Sequence, residues 1–284
     1  MTPAVVLLAL GLLAAGPDAP AAVQTLGPKA PAVVRRLVTL APSLTDTVLS
    51  LGAGDVLVGV SRFDEQPEVQ TLPRVGGFVD PSVEAVAALK PDLVLVQLGP
   101  GNQAPVTALA GMGIPILALR LASIDDVLAG LRAVGAALGR KEKSEAMAHA
   151  LEETRSRVRA RALGLPAVRV LFVYGFQPLV VAGPGSFADE LLRDAGGTNV
   201  AADAGRAYPV WSVERALGAK PDVVLDATLG MGGGRETLQG LPGLRSARWV
   251  TLPSTALLHP GPALGQGLEE LFLALHPALK EAGR

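Results

Sequence analysis

Six residues in the first half of the chain return almost unchanged 130 positions later. Lys90-Pro91-Asp92-Leu93-Val94-Leu95 matches Lys220-Pro221-Asp222-Val223-Val224-Leu225 without a gap, and Ser82-Val83-Glu84 matches Ser212-Val213-Glu214 at the same offset. Each copy carries one local logic: a serine that can cap a helix, a short helix, a Lys-Pro break, then an apolar strand. A looser match pairs Ser43-Leu44-Thr45-Asp46 with Ser186-Phe187-Ala188-Asp189, each opening a helix that ends in glycine. A duplication on this scale predicts two related α/β lobes.

The segments around the repeat alternate between strand and helix patterns. In the first half, Arg36–Ala41, Val56–Val60, Asp92–Val96 and Ile114–Leu119 read as short buried strands, with helices over Ser43–Leu51, Val83–Leu89 and Ala104–Met112. In the second half, Val168–Tyr174, Asp222–Asp226 and Trp249–Leu252 read as strands, with helices over Ser186–Ala195, Val213–Ala219 and Gln266–Leu275. Such alternation implies parallel sheets covered by helices. Between the halves, Ser123 opens a helix to about Leu138, and Arg140–Ala162 follows with no Gly or Pro. At 1.5 Å per residue that second helix would be roughly 35 Å long, enough to bridge two lobes. The expected fold is therefore α/β, with two related lobes (35–122 and 167–284), parallel sheets in each, a helical linker over 123–166 containing one long backbone helix, and a ligand cleft between the lobes.

The N-terminus is read separately. Ala4–Ala15 is an apolar run too short to span a bilayer, and Ala19-Pro20-Ala21 offers a small-residue cleavage site. Residues 1–21 are thus expected to be a cleaved signal peptide and 22–34 a leader ahead of the fold, placing the mature chain in the periplasm. The chain has no cysteine, so it offers no disulfide, no thiolate metal site and no residue for a lipid anchor. Lys and Arg number 25 against 26 Asp and Glu. That balance gives no basic face for a nucleic-acid partner.

No reactive constellation stands out. The three histidines, His149, His259 and His276, have no metal-ligand spacing, and no G-x-S-x-G elbow is present. The cluster Gly230-Met231-Gly232-Gly233-Gly234 fails the G-x-G-x-x-G test because Arg235 stands at the last glycine position. It reads as a flexible loop. The chain is expected to be a non-catalytic monomer with no resident cofactor or metal.

Pro73-Arg74-Val75-Gly76-Gly77-Phe78-Val79-Asp80-Pro81-Ser82-Val83-Glu84, the paired Lys-Pro-Asp units and the opening Val38-Thr39-Leu40-Ala41-Pro42-Ser43 resemble the helical-backbone class of ABC-importer binding proteins, which serves cobalamin, haem and iron–siderophore uptake. The resemblance covers nearly all of the chain beyond Arg35. It is closest to the cobalamin-binding branch through Ser61–Pro67, Phe78 where that branch has Trp, Gly101-Asn102, and Tyr208-Pro209 where it has Trp-Pro. It implies capture of cobalamin or a related corrinoid and its delivery to an inner-membrane permease. Alternatives are a haem or iron-siderophore ligand and, from another class, a sensor that reports to a membrane receptor.

A corrin is broad, apolar on its faces and fringed with amides, so aromatic surfaces and a few polar groups suit it. Among ten aromatic residues, Phe63, Phe78, Phe176, Tyr208 and Trp211 are expected in loops after strands, while Phe172, Phe187 and Phe272 fall in core patterns. The expected ligand-binding set is Phe63, Phe78, Asn102, Phe176, Tyr208, Trp211 and His259. Tyr174, Tyr208 and His259 would be the axial donors if the ligand were haem. Arg62, Arg120 and Arg206 are the candidates for an anionic siderophore. The resemblance also implies that Glu84 and Glu214, one per repeat, engage permease arginines.

Overall fold

A computed structural model describes residues 21–99, 101–228, 233–252 and 254–281. The expected signal segment, save Ala21, and Gly230, Met231 and Gly232 of the glycine cluster lie outside the described residues. Contacts divide the chain into two units. The first holds the described residues up to Leu151 together with His259–Pro262; the second holds Glu152–Leu258 and the chain from Ala263 onward.

The first unit contains β1 (Val23–Leu26), β2 (Leu37–Thr39), α1 (Pro42–Ser50), β3 (Leu57–Gly59), α2 (Val83–Ala88), β4 (Leu93–Gln97), α3 (Gln103–Gly111), β5 (Ile116–Leu119) and α4 (Ile124–Ala137). Its sheet runs β1-β5-β4-β2-β3, parallel except for β1. All five residues of β4 are buried, as a central strand covered on both faces requires. Val38, Val94, Val96, Ile116 and Ala118 meet Val86, Val106 and Leu109 from the helices in one apolar core.

The segment 22–34 is not wholly outside the fold. Val23–Leu26 pairs antiparallel with β5, Val23 opposite Leu119 and Leu26 opposite Ile116, and so covers what would otherwise be an open sheet edge. The linker expected over 123–166 also differs. Helix α4 packs on α1, β1 and β5, because Val127, Leu131 and Val134 form a buried face that needs a sheet beneath it. Ser123 caps it, accepting the Asp126 N–H at 3.1 Å.

Helix α5 (Lys141–Ala162) is the long helix read from the sequence, 22 residues without a break. The division between the units falls inside it. Its second half is tied to the second unit by charge: Arg155 meets Glu190 and Asp194, each at 2.6 Å, and Glu269 takes Arg157 at 3.0 Å and Arg161 at 2.8 Å.

The second unit continues with β6 (Val168–Phe176), β7 (Leu179–Val181), α6 (Phe187–Asp194), β8 (Gly197–Asn199), α7 (Val213–Gly218), β9 (Val223–Asp226), α8 (Arg235–Gln239), β10 (Arg248–Thr251) and α9 (Leu264–Leu275). Its sheet runs β10-β9-β6-β7, with β8 beside the start of β6 and β7 the antiparallel member. The α/β class with a mostly parallel sheet in each half is therefore as the sequence reads.

The repeat has a physical meaning. Lys90 and Lys220 have φ of 46° and 45°, the only non-glycine residues described with positive φ. A left-handed residue stops each short helix, and proline prevents its resumption. The aspartate that follows secures the next strand: Asp92 Oδ2 accepts the Arg35 and Arg36 N–H groups at 2.8 and 3.0 Å, and Asp222 Oδ2 accepts that of Arg169 at 2.8 Å. The arginines complete the stop by donating to terminal helix carbonyls, Arg36 to Leu89 at 2.7 Å and Arg169 to Ala219 at 2.7 Å. Ser82 and Ser212 cap the helices, each accepting the N–H three residues on at 3.2 Å. The looser repeat is less exact. Ser186 caps α6, but α1 begins on Pro42 without a side-chain cap, and Ser43 instead donates to Gln97 at 3.3 Å.

Candidate functional site

Parallel α/β sheets present ligand sites at the carboxyl ends of their strands. In the first unit the loop 61–67 follows β3 and is pinned from inside. Ser61 Oγ donates to Asp64 Oδ2 at 2.5 Å and receives the Phe63 N–H at 3.3 Å. Asp64 is only 3% exposed, and burial pushes its carboxyl up from the ordinary range against the opposing hydrogen bonds of Ser61 and Thr45 and the charge of Arg74. This buried base turns Phe63 outward, where it is 38% exposed. Gly77 backs the ring closely: a Cβ there would lie 2.9 Å from Phe63 Cε2. The Arg62 guanidinium lies 5.7 Å from the ring centre and is anchored on Asp80 at 2.5 Å.

The far end of the same loop is pinned by Gln66, whose amide donates to Asp46 Oδ1 on α1 at 2.6 Å. Asp46 Oδ2 lies 3.5 Å from His259 Nδ1. Pro260 and Gly261 then pack over α1 beside Leu44 and Thr47, closing a small apolar hollow whose opposite wall is Leu119 and Val127. Thus a histidine from near the end of the sequence is built into the first unit.

The other expected site residues fall in different settings. Asn102 is fully buried and its amide is engaged within the fold: Nδ2 donates to Phe78 O at 3.1 Å and Gln97 O at 2.7 Å, and Oδ1 accepts the Gly99 N–H at 3.2 Å. It fastens the loop after β4 to the Phe78 segment, and Phe78 is itself buried. Phe176, expected in a loop, is the last residue of β6 and pairs with Leu179. It packs with Trp211 in the second unit's apolar core, so neither ring is presented to solvent. Burying these rings yields more than exposing them, and turn-like sequence around an aromatic does not report that choice. Arg215 covers Trp211 at 4.6 Å and pairs with Asp203 at 3.1 Å.

Tyr208 stands edge-on to Tyr174, ring centres 5.6 Å apart. Burial raises both phenols far above their usual range. Glu84 and Glu214 are exposed in the first turns of α2 and α7. The Glu214 carboxyl is held below its ordinary value by its own backbone N–H and the Ser212 hydroxyl, so it is a firmly ionised surface charge.

Sequence reasoning missed Asp46 and Gln66, whose partners lie far away in the chain. It also missed Arg235, which clamps the carboxyl ends of β9 and β10 by bonding Asp226 at 2.7 Å and Thr251 at 2.6 Å. His276 is half-buried, with Nε2 3.0 Å from Ala195 O. Among the described residues no group of three or more His, Asp or Glu could hold a metal, and no helix is long and apolar enough to cross a membrane.

The fold agrees with comparisons to known proteins. The family model described as periplasmic binding protein matches residues 37–247. The chain belongs to the periplasmic binding protein family. It is 32% identical over 183 residues to the vitamin B12-binding protein of Salmonella typhimurium, covering 64% of this chain and 69% of that protein. Among solved structures, the periplasmic haem-binding protein of Roseiflexus sp. RS-1 is 30% identical with a TM-score of 0.75, covering 86% of this chain and 98% of that one. The periplasmic vitamin B12-binding protein of Vibrio cholerae shares the fold, with a TM-score of 0.76 at 23% identity over 87% of this chain and 98% of that one. The family is one of periplasmic binding proteins, and both of these solved structures are of periplasmic proteins.

Proposed function

We propose that this chain is a periplasmic solute-binding protein that captures cobalamin or a closely related corrinoid and delivers it to the permease of an ABC importer. The observation that carries the ligand choice is the 32% identity to a vitamin B12-binding protein over 183 residues. The geometry supports it. Phe63 offers a flat aromatic face on a loop pinned at both ends, with an arginine–aspartate pair beside it. That suits stacking on a macrocycle fringed with amides, and it needs no bond-making residue. Phe63, Tyr208 and His259 are the residues assigned to the ligand, and the buried Phe78 is assigned to supporting the loop after β4. Asn102, Phe176 and Trp211 are assigned to shaping the surfaces that carry them.

Haem is the second reading, favoured by the haem-binding relative at 30% identity over 86% of the chain. In either case Glu84 and Glu214 are assigned to permease docking. They stand at equivalent points of the repeat, both exposed, and such charges chiefly set orientation and association rate. The protein is taken to work as a monomer after removal of residues 1–21.

The test is a calorimetric titration of the purified protein with cyanocobalamin and, separately, haemin. One-to-one binding of cyanocobalamin is expected. Loss of the Phe63 ring should weaken it by roughly 10- to 100-fold, since burying a Phe side chain contributes about 1.5–3 kcal/mol. Absence of cyanocobalamin binding alongside tight haemin binding would replace the corrinoid with haem.

A further inference from the structure

Arg62 reads in the sequence as a group for an anionic ligand, and the structure gives it a carboxylate of its own. Its Nη2 donates to Asp80 Oδ2 at 2.5 Å. The pair lies open, its side chains 46% and 68% exposed, so it adds little to stability. Its place is nevertheless fixed by backbone. The Arg62 N–H donates to Gly76 O at 2.7 Å, the Gly77 N–H donates to Asp80 O at 3.4 Å, and Gly76 bridges to Pro81. The segments 61–67 and 76–81 are thereby clasped, and Gly77 is where they cross. A Cβ there would stand 2.6 Å from Asp80 Oδ1, 2.9 Å from Phe63 Cε2 and 3.2 Å from Arg62 Nε. A residue without a side chain is what lets guanidinium, ring and carboxylate converge.

The three groups form one surface around the ring assigned to the macrocycle. Arg62 gives only its Nη2 to Asp80, so its Nε and Nη1, like Asp80 Oδ1, make no hydrogen bond among the described residues. The neighbouring charges do not alter the balance in favour of an anion. Arg74 donates to Ser61 O at 3.3 Å, Asp64 is buried beneath Ser61, and Glu65 is exposed and negative. The patch thus sets donors and an acceptor side by side without net positive charge. A primary amide carries the complement, a carbonyl that accepts and an NH2 that donates. A carboxylate can only accept: with one oxygen on Arg62, the other meets Asp80, and like charges repel.

We propose that the Arg62–Asp80 pair is a specificity subsite: it takes a side-chain amide at the edge of the macrocycle whose face lies on Phe63, and it excludes a carboxylate from that place. The inference rests on the reading of the chain as a corrinoid-binding protein and sharpens it. The substrate is a tetrapyrrole whose peripheral acids are amidated, and a ligand with free propionates, such as haem, is disfavoured by charge. Asp80 contributes selectivity chiefly by repelling the wrong ligand, while Arg62 both holds the amide carbonyl and keeps Asp80 in position. An exposed ion pair that does little for the fold thereby has a role in recognition.

The test is a calorimetric titration of wild type, Asp80→Asn, Asp80→Ser and Arg62→Gln with cyanocobalamin, with each of the monocarboxylic acids made by hydrolysing one of its side-chain amides, and with haemin; circular dichroism confirms folding. Wild type should bind one of the monoacids about tenfold or more weakly than cyanocobalamin, the scale of one hydrogen bond to a charged group, and the others nearly as well as cyanocobalamin. Both Asp80 variants remove the repelling charge and should shrink that discrimination to about threefold or less. Arg62→Gln leaves Asp80 without its counter-charge, so it should weaken cyanocobalamin and widen the discrimination. A pair that merely braced the Phe63 loop would, on removal, lower every affinity in parallel and leave the ratio unmoved. The inference alone is overturned if wild type binds cyanocobalamin and all the monoacids equally, or if the discrimination survives both Asp80 variants. Tighter binding of haemin than of cyanocobalamin by wild type would overturn it together with the corrinoid reading, and failure to bind either would overturn the functional reading as a whole.

Discussion

Asp64 joins the stability of the first unit to the display of Phe63, and its replacement tests that link. The carboxyl is 3% exposed, takes the Ser61 hydroxyl at 2.5 Å, and has its Oδ1 buried without a hydrogen-bond partner. Truncation in Asp64→Ala leaves the Ser61 hydroxyl, which accepts the Phe63 N–H, without its own acceptor, at a cost of about 1–3 kcal/mol. Asp64→Asn keeps an acceptor for Ser61 and removes the buried charge, so at neutral pH it should be neutral or stabilising by up to about 1 kcal/mol. The sign of the pH dependence follows from the raised folded-state value. Burial favours the protonated form, so this group's stabilising contribution is full below its unfolded pKa near 3.8 and is lost as pH rises through the higher folded value. The advantage of Asp64→Asn over wild type should therefore vanish toward pH 3 and be full at pH 7. Urea unfolding at a series of pH values measures this, and a cyanocobalamin titration of each variant reads the Phe63 turn. If Asp64→Asn costs as much as Asp64→Ala at pH 7, or if its advantage grows on acidification, then desolvation is not the dominant effect on Asp64 and the reasoning fails.

Two further outcomes follow from buried polar groups. Asn102→Ala removes three hydrogen bonds and strands the Gly99 N–H, so urea unfolding should show a loss of about 2–3 kcal/mol, with ligand affinity reduced because the Phe78 segment loosens. Arg155→Met leaves Glu190 and the 6%-exposed Asp194 short of a counter-charge and should cost about 3 kcal/mol; Arg159, 3.4 Å from Asp194, moderates the loss. Thermal or urea unfolding of Arg155→Met and of Arg155→Met/Asp194→Asn together checks this. The second change should restore part of the loss.

What could be read in advance was local in the chain. The Lys-Pro-Asp units declared themselves because stop, break and strand entry are adjacent residues, and Ser82, Ser123, Ser186 and Ser212 cap helices within three positions of their partners. Strand β1 was hidden because Val23-Gln24-Thr25-Leu26 is short and half-polar and lies among prolines; only the open edge of β5 makes it a strand. β7 and β8, three residues each, carry too little pattern to register. Ser43 misled as the residue that opens a helix because Pro42 already opens α1. In the candidate site, Phe63 was legible as a loop aromatic. Phe176 and Trp211 were not separable from it, since the same residue types serve a core cluster. The Asp46–His259 contact could not be read from any local pattern, because its members come from opposite ends of the chain.

That contact has a consequence for the order in which the molecule can be completed. The first unit is not a contiguous stretch of sequence: α1 waits for His259–Pro262, which leave the ribosome after nearly all of the second unit. A nascent chain stopped at Leu151 would have its sheet and four of its helices, yet Leu44, Thr47 and Asp46 would lack their cover. The first unit to be synthesised is thus not sealed until four residues that follow Leu258 have been made, and they decide when.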